Sequence, residues 1–240
     1  MSATTPTTDT TRPAASGAAG APSLPFTAVL LDLDGTITDS APVIVDALEV
    51  TLTELGLPVG SRDELMHYVG PPLTEGFERF AGLTGQANRE AVALYRRHYH
   101  ETMCDAPLYA GVPALIEALA GSGTPIALAT SKRETFAAKI LDHTGLTPMF
   151  TVVAGAGEGD LGGSKAEVIA SGLARLRQVG ADLSRVVHVG DRVHDVEGAA
   201  EQGLDCIGVL WGYGDAEELA GARWQVRTPA ELAAVLGLRS

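Results

Sequence analysis

The chain is poor in cysteine. Cys104 and Cys206 are the only two. They lie far apart and match no metal-ligand spacing, so they read as reduced, mostly buried thiols, which suits a cytoplasmic protein. Long apolar runs are also missing. None approaches the ~20 residues of a spanning helix, so no membrane association is expected. Basic residues are scarce: 17 Lys and Arg stand against 30 Asp and Glu, a formal net charge of -13. That balance argues against a nucleic-acid polymer or an anionic membrane as partner. It also requires any phosphate site to be built locally, against the overall field. Residues 1–24 are Thr, Ala, Ser, Pro and Gly with almost nothing to bury. They lack the apolar centre of a secretory signal, and Arg12 is their only basic side chain, so a disordered tail is expected there. The six histidines form no metal set. His98 and His100 are two apart on an expected helix and do not share a face. His67 is a candidate for lining a substrate pocket, or else a surface residue. No internal repeat is present.

What is there begins with a core. Hydrophobic residues make up 45% of 240 positions, enough for one sizeable domain or a core with a smaller lobe. The apolar run Ala28-Val29-Leu30-Leu31 leads into Asp32-Leu33-Asp34-Gly35-Thr36. A buried strand has no packing reason to present two carboxylates, since burying a charge is costly unless it is paired or metal-bound. Alternate strand residues share a face, so Asp32 and Asp34 are expected side by side at the carboxyl end, where open α/β sheets bind ligands.

Residues 42–106 change character. Val43, Val45, Leu48, Leu52 and Leu55 recur at helical spacing, and Gly56 with Pro58 stops that helix. Helical patterns follow over 63–69, 73–81 and 88–103, with a Gly70-Pro71-Pro72 break. No strand is expected here, so the segment reads as an inserted helical lobe. Strand–helix alternation then resumes. Strands are expected at 125–129, 150–154, 185–189 and 205–210, and helices at 112–121, 134–144, 165–179, 194–202 and 228–236. This pattern predicts a Rossmann-like parallel sheet with helices on both faces. The expected division is a core of 25–41 and 107–240 with a helical cap at 42–106.

The carboxyl ends of the strands share one crevice, so the groups they bring can be named. They are Asp32 and Asp34, then Thr130 with Ser131, then Lys165, then Asp191 with Asp195. A carboxylate can attack phosphorus and form an acyl phosphate. A second can protonate the leaving oxygen and later activate water. Mg²⁺ is bound by one or two carboxylates plus phosphate oxygens, and a hydroxyl and an ammonium complete the cradle. The plainer readings are weaker. Ser131 doubles as a candidate cap for the helix near Glu134. The Gly157–Gly162 string matches a dinucleotide fingerprint, but it is acidic, comes late after its strand and has no acidic partner for a ribose.

With these motifs the chain resembles the haloacid dehalogenase superfamily of phosphohydrolases, in the branch with a helical cap after the first strand. Phosphoglycolate phosphatase-like and 5′-nucleotidase-like proteins are its nearest likeness. Asp-Leu-Asp-Gly-Thr at 32–36 matches the first motif, Thr130 the second, Lys165 the third, and Gly190-Asp191-Arg192-Val193-His194-Asp195 the fourth. The likeness spans residues 26–236. It implies Asp32 as nucleophile and Mg²⁺ ligand, and Asp34 as general acid/base with its backbone carbonyl on the metal. Thr130 would bind phosphoryl oxygens with the next backbone amide, and Lys165 would neutralise nucleophile and phosphate. Asp191 would ligate the metal, with Asp195 supporting that site or orienting Lys165. Proline often follows the lysine in this family, and here Ala166 does.

The resemblance implies a phosphatase acting on a small phosphorylated metabolite, as monomer or homodimer, with selectivity set by the cap. Tyr68-Val69-Gly70-Pro71-Pro72-Leu73 is the candidate substrate-facing loop, and Arg79, Arg96 and Arg97 are candidates for a second anion. A phosphomutase of the β-phosphoglucomutase type is the nearest alternative, although Thr36 leans toward phosphatases. A dehalogenase has no need of Asp34. A receiver domain has no inserted lobe. A non-catalytic phosphate-binding module would be expected to lack one of the four groups.

Overall fold

The computed structural model describes residues 24–70, 72–157 and 164–238. The expected tail thus lies outside the described residues except for Leu24, as does most of the glycine-rich stretch before Lys165. Six strands form one sheet: β1 (Ala28–Leu31), β2 (Ile126–Arg133), β3 (Val152–Ala156), β4 (Val186–Gly190), β5 (Asp205–Val209) and β6 (Trp224–Val226). Their order is β3-β2-β1-β4-β5-β6, and every neighbouring pair is parallel. The chain runs outward from β1 in both directions, so the order reverses beside β1. A crevice opens at that switch point, at the carboxyl ends of the strands.

Among the described residues nine α-helices accompany the sheet. They are α1 (Ala41–Glu54), α2 (Arg62–Leu65), α3 (Leu73–Ala81), α4 (Gly85–Thr102), α5 (Val112–Gly121), α6 (Glu134–His143), α7 (Lys165–Gln178), α8 (Val193–Glu201) and α9 (Pro229–Val235). The alternation of β1 shows how both faces are covered. Val29 and Leu31 belong to a core with Ile116 of α5, Ile140 of α6 and Leu232 of α9. Ala28 and Leu30 belong to a second core with Ile169 and Leu176 of α7 and Ala199 of α8. Side chains of successive strand residues point to opposite faces, so a four-residue apolar strand can feed both cores. Each fully buried Leu or Val stabilises by about 1.5–3 kcal/mol.

Helices α1–α4 lie in sequence between β1 and β2. They pack on one another through Leu48, Leu52, Leu65, Phe77, Val92, Tyr95 and Tyr99, all buried. In α1 the buried Ile44, Val45, Leu48, Thr51 and Leu52 sit three and four apart, the stripe a helix needs. Its start is unusual. Ser40 occupies the N-cap without making a cap bond, and donates its hydroxyl to Asp34 instead. The Ala41 amide is satisfied by the Tyr213 hydroxyl at 2.8 Å, from the loop after β5. The orphan donor of a helix start therefore ties α1 to the far side of the crevice.

Several boundaries differ from expectation. The third strand begins at Val152 rather than Phe150, because Thr147–Met149 form a 3₁₀ turn and the Phe150 amide closes it on Thr147. The three-residue β6 escapes sequence patterning altogether. Ser131 caps nothing: the N-cap of α6 is Arg133, with no side-chain bond. Ser131 instead lies on a β2 that runs on to Arg133, with a register shift against β3 between Thr130 and Arg133.

Candidate active site

β1 hands Asp32 to the crevice still paired, its amide donating to Val189 O at 2.9 Å. The chain then folds tightly, with Leu33 O accepting from the amides of Ile37 and Thr38 at 2.8 and 2.9 Å. Gly35 makes this turn at φ 78°, a region that L side chains avoid. It is doubly required, because a Cβ there would overlap Asp191 Oδ2. The turn from β1 and the end of β4 are thus packed backbone against carboxylate.

Lys165 opens α7, where Ser164 and Glu167 form a reciprocal capping box. Its Nζ lies 2.7 Å from Asp32 Oδ1 and 2.9 Å from Asp195 Oδ1, and it donates to Ala129 O at 3.3 Å. Asp195 Oδ1 also meets His188 Nε2 at 2.8 Å. Its Oδ2 accepts the Arg192 amide at 3.1 Å. Asp191 Oδ2 accepts the Tyr213 amide at 2.7 Å.

Burial sets the electrostatics. It lifts the Asp32 carboxyl above its ordinary range, with Lys165 pulling the other way. It lifts Asp191 well above that range, and the neighbouring Asp195 and Asp32 charges add to the effect. Asp195 is held low: burial opposes ionisation, but the Lys165 ammonium and the His188 hydrogen bond outweigh it. Lys165 is raised, since Asp195 and Asp32 overcome its own desolvation.

Asp32, Asp191 and Asp195 can each offer a carboxylate oxygen within 4.8 Å of the others, all three residues buried. The Lys165 ammonium pairs with two of these three carboxylates, Asp32 and Asp195. Asp191 Oδ1 is buried and has no hydrogen-bond partner. An all-oxygen donor set with an excess of negative charge and an orphaned carboxylate oxygen fits a hard divalent cation such as Mg²⁺.

The other carboxylate, Asp34, faces away from this cluster. Ser40 Oγ donates to its Oδ1 at 2.5 Å, and Lys132 Nζ lies 2.9 Å from its Oδ2. Lys132 also donates to the Tyr99 hydroxyl and sits 4.4 Å from the Tyr99 ring centroid, a cation–π contact. Thr130 is buried, and its hydroxyl accepts the Lys132 amide at 3.2 Å. A cavity joins these groups to the helices above. Asp32, Asp34, Thr130, Ser131 and Lys165 line it from the sheet side, and Tyr68, Gly70, Leu73, Tyr95, Arg96 and Tyr99 from the segment between β1 and β2. Arg192 crosses between the two. Its Nε donates to Glu218 at 2.7 Å and its Nη1 to Val69 O.

The structure brings Asp32, Asp34, Thr130, Ser131, Lys165 and Asp195 onto one cavity, with Gly70 on the opposite wall and Asp191 in the carboxylate cluster. It is the Asp195 carboxylate that joins Asp32 and Asp191 there, while the Asp34 carboxylate turns to Ser40 and Lys132. His67 does not line the cavity: its Nδ1 lies 3.0 Å from Glu64 O and its ring packs beside Phe80. Of the three candidate arginines only Arg96 lines it. Arg79 lies over Phe80 and Arg97 pairs with Glu54. Sequence reasoning missed His188, Lys132 and Tyr213. Lys132 could have been found from its place two residues after Thr130. His188 carried a signal too, as the one polar residue in Val186-Val187-His188-Val189.

Fold and site together define a doubly wound α/β protein with a carboxylate–lysine cluster at its switch point. The model of the family described as haloacid dehalogenase-like hydrolase matches residues 29–209, and the chain belongs to that family. It is 43% identical over 190 residues to the tyrosine-protein kinase PtkA of Mycobacterium tuberculosis, covering 79% of this chain and 64% of that protein's length. It is 34% identical over 192 residues to a 5′-nucleotidase of Pseudomonas aeruginosa, covering 80% of this chain and 86% of that protein. Among solved structures, a predicted phosphatase from Clostridium acetobutylicum superposes with a TM-score of 0.80 at 32% identity, covering 89% of this chain and 99% of the other. No helix among the described residues is long and apolar enough to cross a membrane.

Proposed function

We propose that this chain is a Mg²⁺-dependent phosphatase that hydrolyses a small-molecule phosphomonoester through an aspartyl-phosphate on Asp32. The observation that carries the reading is Asp32 itself: a buried strand-end carboxylate 2.7 Å from the Lys165 ammonium and clustered with Asp191 and Asp195. Mg²⁺, held by Asp32, Asp191 and the Asp34 backbone carbonyl with Asp195 in support, would neutralise phosphate charge.

The chain's own residues supply the rest. An Asp32 oxygen attacks phosphorus, and the bond to the leaving oxygen breaks. Asp34 gives that oxygen a proton. Asp34 then takes a proton from water, which attacks the acyl phosphate, releases inorganic phosphate and restores Asp32. Lys165 offsets charge on nucleophile and phosphoryl group, while Thr130 and Ser131 donate to phosphoryl oxygens. Residues 42–106 act as a cap that excludes water and selects the leaving group, with Gly70 facing the substrate. The remaining chain, 25–41 and 107–240, is the catalytic core.

The substrate class is a small phosphorylated metabolite of the phosphoglycolate or 5′-nucleotide kind. The kinship to a named 5′-nucleotidase supports it. We further infer a cytoplasmic enzyme, monomeric or homodimeric, in keeping with two free thiols. A mutase of the β-phosphoglucomutase type is the alternative, since it would use the same two aspartates. The 43% identity to a protein named a tyrosine kinase favours testing phosphoryl transfer to a protein hydroxyl as well.

One panel separates these readings. Purified protein with Mg²⁺ is incubated with 2-phosphoglycolate, 5′-nucleotides, β-glucose 1-phosphate, and ATP with a tyrosine peptide. Phosphate release from a small ester is expected, and Asp32→Asn should abolish it while leaving the fold intact. Isomerisation without release would favour the mutase, and a labelled peptide the kinase. Full turnover by Asp32→Asn, or by wild type after exhaustive chelation, would overturn the mechanism.

A further inference from the structure

We propose that His188 is a positioning residue that aims Lys165 at Asp32 by fixing the carboxylate of Asp195. The inference rests on the phosphatase reading above and concerns a residue outside its reacting groups.

His188 sits in the middle of β4, fully buried. Its strand neighbours are Val187 and Val189, and its partners across the sheet are Leu30 on β1 and Cys206 on β5. A strand buried on both faces is ordinarily an apolar run. An imidazole there is destabilising unless it is hydrogen-bonded. Its Nδ1 has no partner. Nε2 lies 2.8 Å from Asp195 Oδ1. The same Oδ1 pairs with the Lys165 ammonium, so it accepts, and the ring proton is assigned to Nε2, which donates.

The consequence lies one residue further on. Asp195 Oδ1 receives His188 and Lys165 together, at 2.8 and 2.9 Å, and Oδ2 receives the Arg192 amide. Both oxygens are therefore fixed, and the carboxylate cannot turn. Lys165 in turn spans 2.7 Å to Asp32. The four side chains form one line, His188 to Asp195 to Lys165 to Asp32, running from the interior of the sheet to the proposed nucleophile. Without the imidazole donor, Asp195 is held only by the lysine it is meant to aim and by one backbone amide.

The test compares His188→Gln, whose side-chain amide can replace the Nε2–H, with His188→Met, which fills similar volume without a donor. Loss of a group that orients another residue at a metal-type site costs about 10–100-fold in activity. His188→Met is expected to lose at least about tenfold in kcat with KM within about threefold. His188→Gln should recover most of that loss. Crystal structures of both variants read the same point without activity: Lys165 should stay on Asp32 in the Gln variant and leave it in the Met variant.

A His188→Met enzyme with wild-type kcat, or equal losses in both variants, overturns the proposal. If His188→Met does not fold, His188→Asn replaces it, since its shorter amide mimics Nδ1 and falls short of Asp195. If wild-type protein hydrolyses no phosphomonoester, the phosphatase reading fails, and the position of Lys165 in the two structures still decides the role of His188.

Discussion

Replacing Asp191 by asparagine removes one of three crowded buried charges while keeping the shape of the side chain. Shape matters here, because Gly35 and Gly212 both press against Asp191. The oxygen that accepts the Tyr213 amide survives as the amide oxygen, and the new amino group replaces the unpartnered Oδ1. At separations up to 4.8 Å and an effective dielectric constant of about 20, each like-charge pair costs at least about 3.5 kcal/mol. The lost attraction to Arg192 and the new amide's own desolvation offset part of this. Asp191→Asn should therefore stabilise the chelated protein by about 1–3 kcal/mol, or about 2–4 °C in Tm for each kcal/mol.

The sign with pH follows from the raised Asp191 carboxyl. Folding disfavours its ionised form, so the cost is full above the folded pKa and vanishes below the unfolded one. The advantage of the variant should thus grow as pH rises and shrink as pH falls. Mg²⁺ should act in the opposite sense. At a hundredfold excess over Kd it stabilises wild type by about 2.7 kcal/mol, and it should leave the variant nearly unmoved. Thermal unfolding in EDTA and in Mg²⁺, at neutral and at acidic pH, measures all of this. A variant less stable than wild type in EDTA, or one that gains as much from Mg²⁺, would refute the reasoning.

Two further substitutions probe the cavity away from the Asp32–Asp191–Asp195 cluster. Gly70 has φ 108° and leaves 2.5 Å between a built Cβ and Arg192 Nη1, so Gly70→Ala should cost about 1–3 kcal/mol in strain and raise KM more than it lowers kcat, read by steady-state kinetics beside thermal unfolding. Lys132→Met frees one oxygen of Asp34 and one face of Tyr99. Alkyl phosphates, whose leaving oxygen needs a proton, should then slow by about 10²–10⁴-fold, and p-nitrophenyl phosphate far less. Equal slowing of both would show that Lys132 does not act through Asp34.

How far the sequence speaks depends on the kind of signal. The Val29–Leu31 run, the Leu73–Ala81 helix with Gly82 behind it, and the Ser164–Glu167 start of α7 are local patterns, and local physics reproduces them. Asp32 and Asp191 were legible for the same reason, each being a charge directly after an apolar strand. What escaped depends on contacts between distant segments. Lys132 meets Asp34 and Tyr99 from a strand extended past its expected end. Tyr213 belongs to a loop whose place is set by the β5 connection, and nothing in Trp211-Gly212-Tyr213-Gly214 announces a partner in α1. β6 has too few residues to show a period.

Those distant contacts share a direction. Tyr213 gives its amide to Asp191 and its hydroxyl to the first amide of α1. Arg192, next in chain to Asp191, holds the carbonyl of Val69. Lys132 holds Asp34 and the Tyr99 hydroxyl. Ser40 gives up its cap role in α1 to hold the other oxygen of Asp34. Every link from α1–α4 to the sheet named here ends on a crevice carboxylate or on its immediate neighbour. Asp32, Lys165, Asp195 and His188 are tied instead to one another, to Ala129 O and to the Arg192 amide. The site divides accordingly into a half tied within itself around Asp32 and a half tied to the segment between β1 and β2 around Asp34.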